Sequence, residues 1–253
     1  MIFVTGDTHG DFRRFSTEIF PEQKEMTKDD FVIICGDFGG VWCQEDDRKA
    51  RKNEDYWLDW LDKKPFTTLF VCGNHENFDR LSSFPTENRY GGKVHVIRPS
   101  IFHLMRGETF CIDGETLFAF GGASSHDISD GILPKENWKK EAVKLNRRGK
   151  YMYRIEGLSW WKEELPSGEE LRNGLANLDR LGRSVDYVIT HSPPASVIAL
   201  LGFGSYKQDV LTKYLEEIRS AIDYKYWFMG HMHMDKRFSK RDFLLYEQIV
   251  RIV

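Results

Sequence analysis

Five short apolar runs, each closed by a glycine-rich or polar cluster, constrain this chain more than any other feature. The runs are Met1 to Thr5, Phe31 to Cys35, Thr68 to Cys72, Tyr187 to Ile189 and Lys225 to Met229. The clusters that close them are Gly6-Asp7-Thr8-His9-Gly10, Gly36-Asp37, Gly73-Asn74-His75-Glu76, Thr190-His191-Ser192 and Gly230-His231-Met232-His233. Apolar runs of this length, bounded by turn residues, read as buried strands. In an open α/β sheet, chemistry collects past the carboxyl ends of the strands. Five strand ends would therefore carry Asp7, His9, Asp37, Asn74, His75, His191, His231 and His233 to one rim.

Those residue types suit a metal site. Imidazole nitrogen and carboxylate or amide oxygen are ligands for zinc, manganese or iron, and no thiolate is among them. With His75 set aside, seven side chains can fill four positions around each of two ions if one carboxylate bridges. Asp37 is the natural bridge, because a bridging ligand needs two oxygens. Two ions about 3.5–4 Å apart can clamp the attacking and leaving oxygens of a phosphoryl transfer, with a water between them as nucleophile. A single Gly-Asp is commonly only a turn, and a lone His after a strand is usually structural. Turn chemistry does not explain five such clusters in order, holding five of the eight histidines.

In these motifs the chain resembles the calcineurin-like metallophosphoesterase superfamily. The family pattern is Asp-x-His, Gly-Asp, Gly-Asn-His-Asp/Glu, His, and Gly-His-x-His, and all five blocks occur in order between residues 6 and 233. The resemblance implies that Asp7, His9, Asp37 and His233 hold one metal, and Asp37, Asn74, His191 and His231 the other. Manganese is the first expectation, with iron, zinc or nickel also accepted by such ligands. His75 would stand beside the metals and assist the leaving group, as Asp37 and the ions assist attack. Glu76 would orient a ligand or His75, or else be a solvated carboxylate at a helix start. The expected activity is hydrolysis of a phosphoester.

One block departs from a branch of the family. Ser/Thr protein phosphatases carry Gly-Asp-x-Val-Asp-Arg-Gly, whose Arg grips phosphate, whereas this chain reads Gly36-Asp37-Phe38-Gly39-Gly40-Val41. Protein phosphatase is therefore an alternative, as is a non-catalytic metal-binding sensor or scaffold. A nucleotide or nucleic-acid phosphoester ranks first as substrate because of one segment. Lys135 to Arg154 holds eight cationic and two anionic side chains, interleaved with Trp138, Tyr151 and Tyr153. Basic and aromatic groups together suit such ligands, although a charge run is usually a solvated face. We expect this insert, at about residues 124–158 of a single domain spanning 1–253, to border the site.

The fold implied by the resemblance is α/β, with two mixed β-sheets packed as a sandwich and flanked by helices. Local patterns agree. Helices are expected over Asp11 to Ile19, Asp46 to Leu61, Gln208 to Ile222, and after Ser167, which has capping-box spacing to Glu170. Val94–Ile97, Ile101–Leu104, Thr109–Ile112 and Glu115–Phe120 read as one antiparallel meander with His95 and His103 as structural residues. Phe243 to Tyr246 and Ile249 to Val253 read as closing strands. The loop Gly121 to Asp127 should approach the metals, with His126 a candidate substrate contact or an exposed loop residue.

Composition narrows the setting. Hydrophobic residues make up 41% and charged residues 30%, as in an ordinary globular enzyme, and the net charge of −3 favours no polyanion partner. The four cysteines form no disulfide framework, and no apolar stretch reaches membrane-spanning length. Met1 to Val4 belongs to a strand that feeds the site and does not read as a removable signal. A cytoplasmic protein with no membrane partner is expected.

Overall fold

The strands that carry the polar clusters stand side by side. The computed structural model describes residues 1–202 and 208–253. Strands β1 (Ile2–Thr5), β2 (Phe31–Ile34) and β3 (Thr67–Phe70) are parallel neighbours, so Asp7, Asp37 and Asn74 leave the same edge. Helix α1 (Arg48–Asp62) links β2 to β3, and the short α2 (Phe78–Leu81) follows β3. Strands β4 (Thr86–Arg89), β5 (Gly92–Arg98) and β6 (Ile101–Leu104) extend this sheet beyond β3.

The second sheet begins with the hairpin β7 (Glu108–Ile112) and β8 (Glu115–Phe120). A small excursion then holds β9 (Gly131–Leu133), α3 (Trp138–Asn146) and β10 (Tyr153–Ile155), with β9 and β10 paired in parallel. Helix α4 (Gly168–Arg180) leads to β11 (Ser184–Thr190), and α5 (Ala195–Gly202) and α6 (Val210–Ala221) lead to β12 (Asp223–Met229). Strands β11 and β12 are parallel neighbours, which sets His191 beside His231. Strands β13 (Lys236–Arg237) and β14 (Asp242–Leu244) close this sheet, and β15 (Ile249–Arg251) returns to pair with β1.

Alternation along the strands explains why the sheets stack. Ile2, Val4, Ile33, Leu69 and Val71 of the first sheet pack on Leu117, Ala119, Ile189 and Phe228 of the second. The intervening side chains point outward and are covered too. Phe3, Val32 and Phe70 meet Leu58 and Leu61 of α1, while Val188, Trp227 and Met229 meet Leu178 of α4 and Leu211 and Leu215 of α6. Strands buried on both faces read as continuous apolar runs, which is the sequence pattern they show. The expected α/β sandwich with flanking helices is what the chain forms.

Several local expectations hold. Helix α4 carries the Ser167–Glu170 capping box, with Ser167 and Glu170 bonding each other's backbone amides. The expected helix from Gln208 begins at Val210, capped by Asp209. Other expectations are corrected. Asp11 to Ile19 forms only a single-turn 3-10 helix over Arg13–Phe15, and Ile19 is exposed. Three apolar residues in nine are too few to stabilise a helix that has no side-chain cap. The four middle strands are not one meander but two hairpins, β5–β6 in the first sheet and β7–β8 in the second. The chain crosses between sheets at Met105 to Gly107, because β6 finds β3 as a parallel partner. On α1, Leu61 is buried and Trp57 and Trp60 lean on the core, but Tyr56 is exposed. No described helix is long and apolar enough to cross a membrane.

Candidate metal centre

The carboxyl ends of β1, β2 and β3 in one sheet and of β11 and β12 in the other converge. Donor atoms of Asp7, His9, Asp37 and His233 all lie within 4.8 Å of one another, and so do those of Asp37, His191 and His231. Asp37 belongs to both groups. Its carboxylate is buried, with Oδ1 3.4 Å from Nε2 of His191 and Oδ2 3.8 Å from Nδ1 of His9. Asp7 Oδ2 stands 3.3 Å from Nε2 of His233, which lies 3.0 Å from Nε2 of His9.

The backbone is bent to achieve this. His9, Asp37, His231 and His233 all have positive φ, and they are four of only seven such non-glycine residues among those described. Left-handed backbone at non-glycine positions costs free energy and concentrates at functional sites. Gly36, at φ +93°, and Gly73 permit the close approach. A Cβ on Gly36 would collide with the His191 ring, and one on Gly73 with the Asp37 carboxylate.

Hydrogen bonds aim the donors. His191 Nδ1 lies 2.8 Å from the Cys35 carbonyl, so Nδ1–H donates there and Nε2 is left as the free donor atom. Asn74 Nδ2 donates to Ser125 Oγ at 3.4 Å, which leaves Asn74 Oδ1 as the free end of the amide. His191 Nε2 and Asn74 Oδ1 are both buried without a hydrogen-bond partner. Buried polar atoms are ordinarily satisfied, so each of these orphans fits the role of a cation ligand. The Asp7 carboxylate accepts from the His231 amide, and Asp37 Oδ1 from the His75 amide at 2.8 Å.

Charges are tightly coupled here. Burial opposes ionisation of Asp37, yet the surrounding histidines hold its carboxyl far below the usual range. Burial also pushes His191 down, but Asp37 and Asp7 more than offset this and bring it to about 9. Burial lowers His231 to about 3, so its imidazole is neutral and ready to ligate. Glu76 is not solvated. It is fully buried, accepts the Phe38 amide at 2.8 Å, and so fixes the backbone next to Asp37. Burial and Asp37 push its carboxyl well up.

His75 stands at the edge of the centre. Its ring packs edge-on against His9 at 5.1 Å and leans on Trp42 at 5.6 Å. Burial lowers its pKa, and Arg154 lowers it further. His126 is exposed on its loop, with its ring 6.0 Å from that of His231. His95 and His103 lie apart and contact each other, Nδ1 to Nδ1 at 3.0 Å.

The sequence reading did not single out Arg154 as a site residue. This buried guanidinium comes from β10 and reaches Nε2 of His75 at 3.2 Å while pairing with Asp127 at 2.6 Å. Among the cations of the basic segment, Lys144 and Lys150 pair instead with Glu141 and Asp130. Nothing in the local sequence separates Arg154 from its seven cationic companions. Glu164, Ser125 and Tyr246 were also missed. Glu164 accepts from Ser125, and Tyr246 stacks on His233 at 4.8 Å.

A family model described as calcineurin-like phosphoesterase matches residues 1–235. The chain belongs to that family. That description names the family for cleavage of phosphoester bonds. The chain is similar to lariat debranching enzyme A of Xenopus laevis, at 25% identity over 92% of this chain and 42% of that protein. The human lariat debranching enzyme is 23% identical over 92% of this chain and 42% of its own length. That of Schizosaccharomyces pombe is 26% identical over 83% and 44%. The phosphoesterase thus spans about two fifths of the length of the curated relatives it matches.

Proposed function

We propose that this phosphoesterase hydrolyses a phosphodiester in a nucleic acid or nucleotide, with two divalent ions held by Asp7, His9, Asp37 and His233 and by Asp37, Asn74, His191 and His231. The observation that carries this reading is the shared Asp37, whose two carboxylate oxygens face two separate donor groups. When bound, such ions activate water and neutralise charge on the phosphate. Manganese fits the mixed nitrogen and oxygen donor set.

The chain's own residues divide the remaining work. Asp37 orients both donor groups and anchors the His75 amide. His75 faces the departing oxygen, and Arg154 beside it supplies a fork of donors for a phosphate oxygen. This guanidinium stands in for the arginine missing after Gly36-Asp37.

Two openings flank the centre, which favours a diester over a monoester. One cavity of about 460 Å³ runs past His126, Ser192 and His231, and a second of about 200 Å³ runs past His9 and Trp42. A diester has a substituent for each side. The relatives are named for debranching lariats, and that name carried to this chain favours nucleic acid. Four free cysteines fit a reducing, cytoplasmic setting.

The test is manganese-dependent turnover of bis-p-nitrophenyl phosphate beside p-nitrophenyl phosphate, with Asp37→Ala as control. Diester hydrolysis that disappears in the variant is expected. Turnover of the monoester alone would replace this reading with a phosphatase.

A further inference from the structure

The smaller opening lies between two indoles. Trp42 forms one wall against His75, and Trp57 on α1 lines the same groove together with Asn53, one helical turn earlier. Gly39 and Gly40 also line it and contribute no side chain. These glycines occupy the block where the sequence departs from the protein phosphatases, and they let the groove floor pack closely: a Cβ on Gly39 would strike the His9–Gly10 backbone and one on Gly40 the Phe38 ring.

The position of Trp42 is firmly set. The Trp42 and Cys43 amides both donate to Oε2 of buried Glu54 at 2.9 Å. Glu54 is held by Arg80 through bonds of 2.6 and 3.0 Å, and Arg80 also donates to the Cys43 carbonyl at 2.8 Å. Asn77, two residues after His75, donates to the Trp42 and Cys43 carbonyls at 3.4 and 3.3 Å. A buried ion pair and an asparagine therefore tie the Trp42–Cys43 backbone to the segment that carries His75. A loop needing only to cover the core would not require so many polar anchors.

We infer that this groove is a binding subsite for the nucleobase of the leaving group, stacked by Trp42 and Trp57. The inference rests on the phosphodiesterase reading above. Its side is set by His75, which faces the leaving oxygen and touches Trp42. Its ligand is set by chemistry. Indole faces accept any base. The exposed Asn53 amide, which has no hydrogen-bond partner among the described residues, offers a donor and an acceptor to a base edge. At about 200 Å³ the groove is smaller than the roughly 300–1,000 Å³ of pockets for larger ligands, which suits one planar base.

The experiment measures kcat and KM with manganese for an adenine dinucleotide and its two singly abasic analogues, identifying the leaving side from the products. Deleting the leaving-side base should raise KM about 5- to 100-fold in the unaltered protein, the usual effect of one base–aromatic stack. In Trp57→Leu, which keeps Trp42, that deletion should raise KM by a clearly smaller factor, while Trp57→Phe should restore most of the effect. Deleting the other base should cost the same in all three proteins. Equal losses from the leaving-side deletion in the unaltered protein and Trp57→Leu would overturn the subsite and leave the phosphodiesterase reading standing. If no diester is hydrolysed, that reading fails on its own, and the subsite is judged by adenosine monophosphate. Quenching of tryptophan fluorescence that weakens clearly in Trp57→Leu supports the subsite, and unchanged quenching overturns it.

Discussion

Arg154 places its Nη2 3.2 Å from Nε2 of His75, although 79 positions separate them in the chain. The contact joins the basic excursion between the sheets to the residue beside the metal centre. Burial lowers the His75 pKa, Asp37 opposes this, and the guanidinium adds to the lowering. In the resting protein Nε2 accepts from Arg154. To assist a leaving group, His75 must exchange that contact for one to substrate, as Arg154 turns to a phosphate oxygen.

Arg154→Leu should therefore change both rate and pH profile. Losing one preorganised donor typically costs about 10²–10³ in kcat. Losing the adjacent positive charge raises the His75 pKa, so the limb of kcat/KM that reports His75 should move to higher pH. Lysine should rescue poorly, because a point charge does not reproduce the planar fork. A pH–rate series on the two variants checks this, and an unmoved limb would detach Arg154 from His75.

Asp37→Ala and His75→Asn should separate metal from chemistry. Asp37 faces both donor groups, so its removal should lower bound metal and activity together. His75 supplies no donor atom to either group, so its variant should keep metal and lose about 10²–10⁴ in rate. Metal content by elemental analysis, read beside turnover, distinguishes the two outcomes.

Metal binding should compete with a proton on His191. Its folded pKa is raised to about 9, so the metal-free protein holds it as imidazolium at neutral pH. A cation needs Nε2 neutral, so binding must expel that proton. Apparent manganese affinity should rise about tenfold per pH unit below about 9 and then flatten. In metal-free protein the sign is opposite. A raised folded pKa gives stability that is full below 6.5 and is lost as pH rises through about 9. Calorimetric titration in buffers of different ionisation enthalpy would count the released proton, and a flat pH dependence would contradict the account.

Glu164 should make stability depend on pH in a recognisable way. Burial raises its pKa from 4.5 to about 7, so the folded chain binds its proton more tightly than the unfolded chain. Stability from this group is full below 4.5 and declines as pH rises to about 7. Glu164→Gln should flatten that part of the melting-temperature profile while keeping an acceptor for Ser125. Parallel profiles for the two proteins would show that Glu164 does not titrate in this range.

What was legible in the sequence was local. An apolar run closed by Gly-Asp or Gly-His marks a buried strand and its turn without reference to the rest of the chain. Asp7, His9, Asp37, Asn74, His191, His231 and His233 are marked in this way, and donor atoms of all but Asn74 gather in two groups that share Asp37. The capping box at Ser167 is equally local. The expected meander divides into two hairpins because alternation does not say which sheet a strand joins. Only the parallel partner β3 drew β6 away from β7. Glu76 was left open for a similar reason, since a carboxylate is solvated or buried according to what packs over it. Arg154, Trp42 and Tyr246 reach the site through contacts that span long stretches of chain. Local pattern suffices for the strands, their polar ends and the chemistry those ends can support. Which arginine meets His75 and which indoles wall the groove is fixed by how separate segments pack, and no local pattern carries that information.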